Sequence, residues 1–326
     1  GTCRGWLVGN ENSGLQYMFQ MMNEARIGVA LGAAVLGYQG YLYSLEYARE
    51  RPQGRLPSNR DPASKQISII QHADVRRMLL TQKAFAEGSR AFIYFLAQLG
   101  DVVDVGDEER AKNADDLLAF LTPIAKAFIT EVGFESANLG VQVYGGHGFI
   151  KEWGMEQIVR DARIAMLYEG TTGIQAMDLI GRKVLGSGGQ LLMGFTQMID
   201  EFCAASTDEA DAEFISVLTR YKDEWLEMSL KIGERAMENP DEAGAAAVDY
   251  MMYSGYVTLA YFWARMAVIA RQKIAEAEGD ASFYEAKLMT ARFYFDRILP
   301  RTLAHKESLQ SGAENLMEMP EAMFDF

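Results

Sequence analysis

The chain has 326 residues, is 49% hydrophobic and carries a formal net charge of −14. That length and apolar content exclude a disordered tail and admit about two domains around a buried core. The acidic balance is spread along the chain without a Lys/Arg-rich run, which excludes nucleic acid as a main partner while still allowing a small anion in a local basic pocket.

Residues 1–13, GTCRGWLVGNENS, are glycine-rich around the β-favouring Trp6-Leu7-Val8 and read as the tail of a strand-containing unit. The chain opens on Gly1 with no signal peptide before the first helix, so its start reads as a processing boundary. From Gly14 to Arg51 apolar residues recur at helical spacing (Leu15, Met18, Met21, Met22, Val29, Leu36, Leu42, Leu45), predicting one long helix that Pro52 ends. Residues 52–62 are dense in Pro, Gly, Ser and Asn and predict a loop. A second helix is expected over 63–99, then an acidic loop, then a third helix over 110–144 that Pro123 should kink or interrupt. The glycine-rich YGGHGF follows, then a short helix over 155–164, the turn LYEGTTG, and a helix over 172–185. Three long helices and a shorter one predict an all-α fold built on an antiparallel four-helix bundle, residues 14–185.

GSGGQ, residues 186–190, reads as a linker. Helical stretches over 190–204, 209–238, 242–277 and 281–299 then predict a second helical module, residues 190–326, as a unit of its own. Its Met- and Phe-rich end, AENLMEMPEAMFDF, should pack on something or fray. The uncharged run from Tyr250 to Ala264 is shorter than the ~20 residues of a membrane span and reads as a buried or interface helix, so no membrane span is expected. Cys3 and Cys203 are too far apart in sequence to suggest a disulfide framework. His72, His147 and His305 lack metal-ligand spacing, and no metal site is expected.

Two stretches carry candidate chemistry. The glycines of YGGHGF (Gly145, Gly146, Gly148) permit close backbone approach to a ligand, although a glycine-rich helix terminator has the same look. The spacing is neither GxGxxG after a strand nor a Walker loop. In YEGTTG, Glu169 precedes Gly170 at a helix start that Thr171 or Thr172 can cap. A carboxylate beside free amides is what proton removal next to a carbonyl needs. By pattern alone the commoner reading is a glutamate stabilised by the helix dipole. Arg26 is a charge on an otherwise apolar helical run, so it either snorkels or serves a site, and Arg51 at the end of that helix raises the same question.

Taken together these residues resemble the C-terminal part of a flavin-dependent acyl-CoA dehydrogenase. The strongest match runs from Gln142 to Leu185. It joins the Q-x-x-G-G-x-G-[FY] loop, the R-D-A-[KR]-I helix at Arg160 to Ile164 and the Y-E-G-T turn in the family's order and spacing. Weaker similarity covers RGWLVGNENSGL, the strand and turn entering the helical domain, and NEARIGVALGAAVLGYQGYLYSLEYARER, its first helix.

The resemblance implies α,β-dehydrogenation of an acyl-CoA thioester with FAD as hydride acceptor and Glu169 as the base that removes the α-proton. The backbone amide of Glu169 and a flavin hydroxyl would hold the thioester carbonyl, and Arg26, Tyr168 and Gly170 would line the substrate. Arg51, Gln142, Gly145, Gly146 and Thr171 match family residues that contact FAD, several of them across a subunit boundary. That implies a homodimer or homotetramer, with an electron-transfer flavoprotein as the electron acceptor. The compartment implied is the bacterial cytoplasm, or the mitochondrial matrix of a eukaryote. An acyl-CoA oxidase on the same scaffold and a non-catalytic helical binding or oligomerisation relative are the alternatives.

The sequence departs from the family pattern in places. RPQGR after Arg51 lacks the phenylalanine of R-x-x-F-G. Gly173 stands where the family often has a glutamine, so that hydrogen bond is lost or supplied by Gln175. Ala25 stands where some subfamilies place the base, and Glu24 points about 100° away on the helix. The family's N-terminal helical domain and most of its central β-domain, of which residues 1–13 would be a remnant, have no counterpart here. This chain alone is therefore expected to bind FAD weakly or not at all and to be an inactive piece of a longer enzyme. Residues 190–326 resemble an added module in the subgroup acting on 3-methylthiopropanoyl-CoA.

Overall fold

A computed structural model of the chain describes residues 1–59, 61 and 63–325; residues 60 and 62 of the expected loop and residue 326 of the expected tail lie outside the described residues. The first helix, α1 (Gly14–Glu50), ends where Pro52 removes a donor. α2 (Ala73–Val105) starts ten residues later than expected and ends at Gly106. The reason lies in the β-branched QISII stretch, which pairs back on the end of α1. Gln53 N–H donates to the Ile67 carbonyl at 2.9 Å, Ile67 N–H donates to the Gly54 carbonyl at 3.2 Å, and Ile69 N–H donates to the Arg51 carbonyl at 2.9 Å. Gly106 closes α2 in an extended conformation (ψ 164°), its N–H donating to the Val102 carbonyl at 2.8 Å, and a Cβ there would lie 2.5 Å from the same oxygen. Asp107 then caps α3 (Glu108–Tyr144), its side chain accepting from Arg110 N–H at 2.9 Å. α3 runs through Pro123 without a break, and the Thr122 hydroxyl donates to the Leu118 carbonyl beside the missing bond.

After a short α4 (Gly146–Phe149), α5 (Met155–Ile164) has the bounds its periodicity predicts. α6 (Thr172–Met177) continues as a π-helix over Asp178–Leu185. α1 and α3 run side by side in the same direction, with Gly37 against Gly133 and Ser136 and Gly40 against Ala137. Gly133 is required there, because a Cβ would lie 2.6 Å from the Ala33 carbonyl oxygen. α2 runs the other way, its Gln82 donating to Ser136 O at 2.8 Å and to Ser44 Oγ at 3.3 Å. α6 and its π extension run back down, Thr172 meeting Glu131 and Asp178 meeting Arg26. This is the four-helix bundle expected from the sequence.

The second block is α7 (Gln190–Ala205), α8 (Ala212–Glu238), α9 (Asp241–Ala275), α10 (Ala281–Phe293), α11 (Thr302–Gln310) and a short α12 (Glu314–Met317). α11 is not anticipated by the sequence reading, where Pro300 marks a stop; Pro300 instead occupies the start of a 3₁₀ turn that leads into it. The block does not pack as a separate unit. α9 is buried almost all round and drives into the bundle: Phe262 stacks on Phe92 at 5.2 Å, and the Trp263 indole donates to the Ala84 carbonyl at 3.1 Å. Arg301 holds Glu135 with two bonds of 2.8 and 2.9 Å. One apolar cluster therefore spans both blocks.

Trp6, Leu7 and Val8 are exposed and form no strand; the only β-type pairing among the described residues is the single Pro52–Ser68 bridge. A strand needs a partner that this chain does not bring to it. The tail side chains Leu316, Met317, Met323 and Phe324 are likewise exposed. Among the described residues one helix, α3, is long and apolar enough to cross a membrane, and 72% of that stretch is buried inside the protein.

Candidate functional site

The LYEGTTG turn is held from beneath. Tyr168 N–H donates to the Ile164 carbonyl at 3.2 Å as α5 ends, and the chain then enters a left-handed bend, Glu169 at φ 57° and Gly170 at φ 91°. A left-handed glutamate costs about 1–2 kcal/mol relative to an ordinary backbone. Glycine is needed at the second position, since a Cβ on Gly170 would lie 2.6 Å from Gln175 Nε2. Two buried side chains fix the bend. The Gln175 amide donates to the Glu169 carbonyl at 2.9 Å, and the Lys126 ammonium donates to the Gly170 carbonyl at 2.5 Å.

With both carbonyls drawn inward, Thr171 caps α6 by accepting from Ile174 N–H at 3.3 Å, and the Thr172 hydroxyl donates to Glu131 at 2.6 Å. Among the described residues the half-buried Glu169 carboxylate has no hydrogen-bond or ion-pair partner, and neither has its backbone N–H. Tyr168 is exposed beside it. Glu169 does not sit in the first turn of α6, where the dipole would account for it. It precedes the cap by two residues, in a strained conformation of the kind that marks functional positions.

Arg26 does not snorkel. It is 9% exposed and its guanidinium lies 3.5 Å from Asp178, which also accepts from Arg182 at 2.7 Å. Arg26 Nε and Gln175 Oε1 are buried without a partner among the described residues. Burial lowers the Lys126 ammonium to about 8, the Arg26 guanidinium pushing the same way, while the Glu169 and Glu131 carboxylates oppose the shift.

The remaining candidates lie elsewhere. Gly145 ends α3 at φ 61° and ψ −138°, a region open only to glycine, and its N–H donates to the Gln142 carbonyl at 3.1 Å. Gln142, Gly145 and Gly146 are exposed, and open space lies where a Cβ on either glycine would stand. Gly148 turns inward, where a Cβ would meet the Val141 carbonyl at 2.5 Å. A stack of rings props this loop: Tyr47 on Tyr144 at 4.1 Å, His147 on Trp153 at 4.6 Å, with the Tyr47 hydroxyl 3.0 Å from His147 Nδ1. Arg51, exposed at the end of α1, stands one turn beyond Tyr47.

The structure therefore gathers Arg26, Tyr168, Glu169, Gly170 and Thr171 at one place and Arg51, Gln142, Gly145 and Gly146 at another. From Lys126 to Gln142 along α3 is roughly 24 Å at about 1.5 Å per residue. Sequence reasoning missed Lys126, Glu131 and Asp178. The signal for Lys126 was available in TPIAKAFITEV, a charge in an apolar helical run of the kind that singled out Arg26.

Residues 12–185 match the family model for the acyl-CoA dehydrogenase C-terminal domain, and residues 195–320 match the model described as acetyl-CoA dehydrogenase C-terminal like. The chain is 37% identical over 320 residues to 3-methylmercaptopropionyl-CoA dehydrogenase of Ruegeria pomeroyi, covering 96% of this chain and 53% of that protein. It is 32% identical over 333 residues to a broad-specificity linear acyl-CoA dehydrogenase of Mycobacterium tuberculosis, covering 98% and 54%. The chain thus spans about half the length of these curated relatives. An acyl-CoA dehydrogenase from Bacillus anthracis, solved with FAD, shares the fold at TM-score 0.70 and 19% identity, covering 92% of this chain and 50% of that one. With a domain model matched over more than half its length, the chain belongs to the acyl-CoA dehydrogenase family, as a flavoprotein-type helical C-terminal half.

Proposed function

We propose that this chain is the helical half of an FAD-dependent acyl-CoA dehydrogenase in which Glu169 removes the α-proton of an acyl-CoA thioester. The carrying observation is the left-handed Glu169, whose carboxylate and backbone N–H are both unpartnered among the described residues at one turn. A thioester carbonyl accepting from that N–H would place the adjacent α-carbon next to the carboxylate, and the developing enolate oxygen would gain the stronger bond. The Lys126 and Gln175 bonds to the two carbonyls support this reading, because they keep those oxygens away from the substrate oxygen. Tyr168 and Gly170 would flank the acyl group, with Arg26 behind the turn.

The exposed glycine loop fits the edge of a dinucleotide: Gly145 and Gly146 leave open surface, and the exposed Arg51 offers a cation for pyrophosphate. Arg51, Gln142, Gly145 and Gly146 would hold one FAD from this edge, and Thr171 another from the Glu169 end. When bound at the Glu169 end, FAD would supply the two-electron acceptor for the β-hydride. The separation of the two edges by roughly 24 Å of α3 supports a homodimer or homotetramer in which each chain serves two cofactors. The flavin ring would be covered by a part of the protein beyond this chain, and an electron-transfer flavoprotein would take up the electrons.

Glu169→Gln in the full-length, FAD-loaded protein tests the reading. The variant should lose exchange of the substrate α-proton with deuterated solvent while keeping its flavin. Exchange at the unsubstituted rate would remove Glu169 from the role.

A further inference from the structure

We propose that Gly255 on α9 is a positioning residue for the Glu169 base: it lets the second block pack close enough to set the spacing of the two side chains that hold the turn. This rests on Glu169 being the base. The turn hangs from anchors on different helices. Lys126 on α3 donates to the Gly170 carbonyl at 2.5 Å, and Gln175 on α6 donates to the Glu169 carbonyl at 2.9 Å. Glutamate has no preference of its own for the left-handed φ of 57° found here, so the conformation depends on such tertiary bonds. The placement of α3 relative to α6 at this level therefore orients the base.

α9 packs against both helices. Ala176, Leu179 and Ile180, which follow Gln175, are fully buried in the core that α9 fills. On the α3 side, the fully buried Phe128 meets Tyr256 edge to face, with ring centroids 4.9 Å apart. Phe128 stands two residues beyond Lys126, a rotation of about 200° around the helix. α9 thus bears on the side of α3 nearly opposite the one from which Lys126 leaves.

Glycine in the middle of a 35-residue helix weakens it, which makes its reason here worth finding. A Cβ on Gly255 would lie 2.1 Å from Phe128 Cγ and 2.6 Å from Phe128 Cβ. The ring can rotate away, but Cβ is fixed to the backbone and cannot. Any side chain at 255 must therefore part α9 from α3 by roughly an ångström, to reach an ordinary carbon contact of about 3.5–4 Å. α6 keeps its own packing on α9, so the Lys126 and Gln175 anchors would move relative to each other. A shift of that size at a base is costly, since a misplacement of about 1 Å can lower a rate about 10²-fold.

The test is α-proton exchange in the full-length, FAD-loaded protein carrying Gly255→Ala. Exchange per bound flavin should fall by at least about tenfold, with the KM for acyl-CoA and the flavin content unchanged, because α9 lies behind the turn. Gly88→Ala is the control for a merely structural role. Its Cβ would lie 2.8 Å from the Trp263 indole nitrogen and 3.2 Å from Leu259, side chains of the same α9, but α2 carries neither anchor. It should lower the melting temperature and leave exchange unchanged. Should Gly255→Ala fail to fold, Tyr256→Ala takes its place; it withdraws the α9 ring from Phe128 without adding an atom and should also lower exchange at unchanged KM. Because Gly255 acts through the Lys126 bond, Gly255→Ala together with Lys126→Met should lower exchange by less than the product of the two single effects. Unchanged exchange in the folded α9 variant, equal losses in Gly255→Ala and Gly88→Ala, or single effects that multiply each overturn the proposal. Exchange that survives Glu169→Gln overturns the base assignment instead, and this inference with it.

Discussion

Midway along α3, around Lys126, the polar groups are buried, whereas at its Gly145 end they stand on the surface over a stack of aromatic rings. Lys126, Gln175, Arg26 and Asp178 are each less than a tenth exposed, and together they leave one carboxylate and one amide facing outward. Gln142, Gly145 and Gly146 are exposed and rest on Tyr144, His147 and Trp153, whose rings carry the packing. The difference teaches how one helix can serve two tasks. A base must be held within a fraction of an ångström by groups that water cannot reach. A loop that meets another surface can stay open, provided its backbone shape is fixed.

The comparison breaks first at Glu169. Glu169→Gln should cut α-proton exchange by about 10²–10⁴-fold, the usual worth of a general base, without loss of bound flavin, measured by exchange and by flavin absorbance on the same sample. Loss of flavin instead would make the turn a cofactor site alone. The next effect belongs to the buried cation. Lys126 titrates at about 8 folded against an ordinary 10.5, so between these values the unfolded chain binds more protons and stability rises with pH. Denaturant unfolding of the unsubstituted protein and Lys126→Met should show the difference moving in favour of the unsubstituted protein between pH 8 and pH 10, by on the order of 1–3 kcal/mol. A flat difference would mean that Lys126 is solvated.

The fold was legible where local pattern decides it. Met155 to Ile164 has its apolar face at helical spacing, and the helix has the predicted bounds. Residues 63–72 were misread as helix because nothing local shows that QISII pairs with the end of α1. The joining of the two blocks was not legible either. It rests on Phe92 meeting Phe262 and Phe128 meeting Tyr256, contacts between residues more than a hundred positions apart. At the site, the glutamate and its glycine could be read from LYEGTTG, but not the left-handed bend, since glutamate has no preference for it. Lys126 is a plain case of a legible signal passed over: one charge in an apolar run is either at the surface or paired, and only packing tells which.

The exposed end yields smaller effects. Gly145→Ala places a Cβ in open space, so no clash follows, but φ 61° with ψ −138° is strained for any other residue by about 1–3 kcal/mol. The loop should shift and flavin affinity should fall by about tenfold, read by flavin retention on gel filtration, while exchange per bound flavin stays unchanged. A drop in exchange per flavin would show that the two regions are coupled.

The smallest effect is expected at Trp153, half-exposed and in contact with three rings: stacked on His147 at 4.6 Å and edge-on to Tyr47 at 5.7 Å and Tyr144 at 5.8 Å. Each such contact is worth about 0.5–1.5 kcal/mol beyond its buried area, and water recovers part of that on truncation. Trp153→Ala should therefore cost about 1 kcal/mol of global stability, seen as a modest drop in melting temperature. Its local effect should be larger than its global one, because the rings fix the path from Tyr144 to Gly154 without reaching the core that α9 fills. Hydrogen exchange should rise at residues 145–153 and stay unchanged at residues 168–175. Equal protection loss at both segments would mean that the rings and the buried cation belong to one cooperative unit, and the division between the middle of α3 and its C-terminal end would then fall.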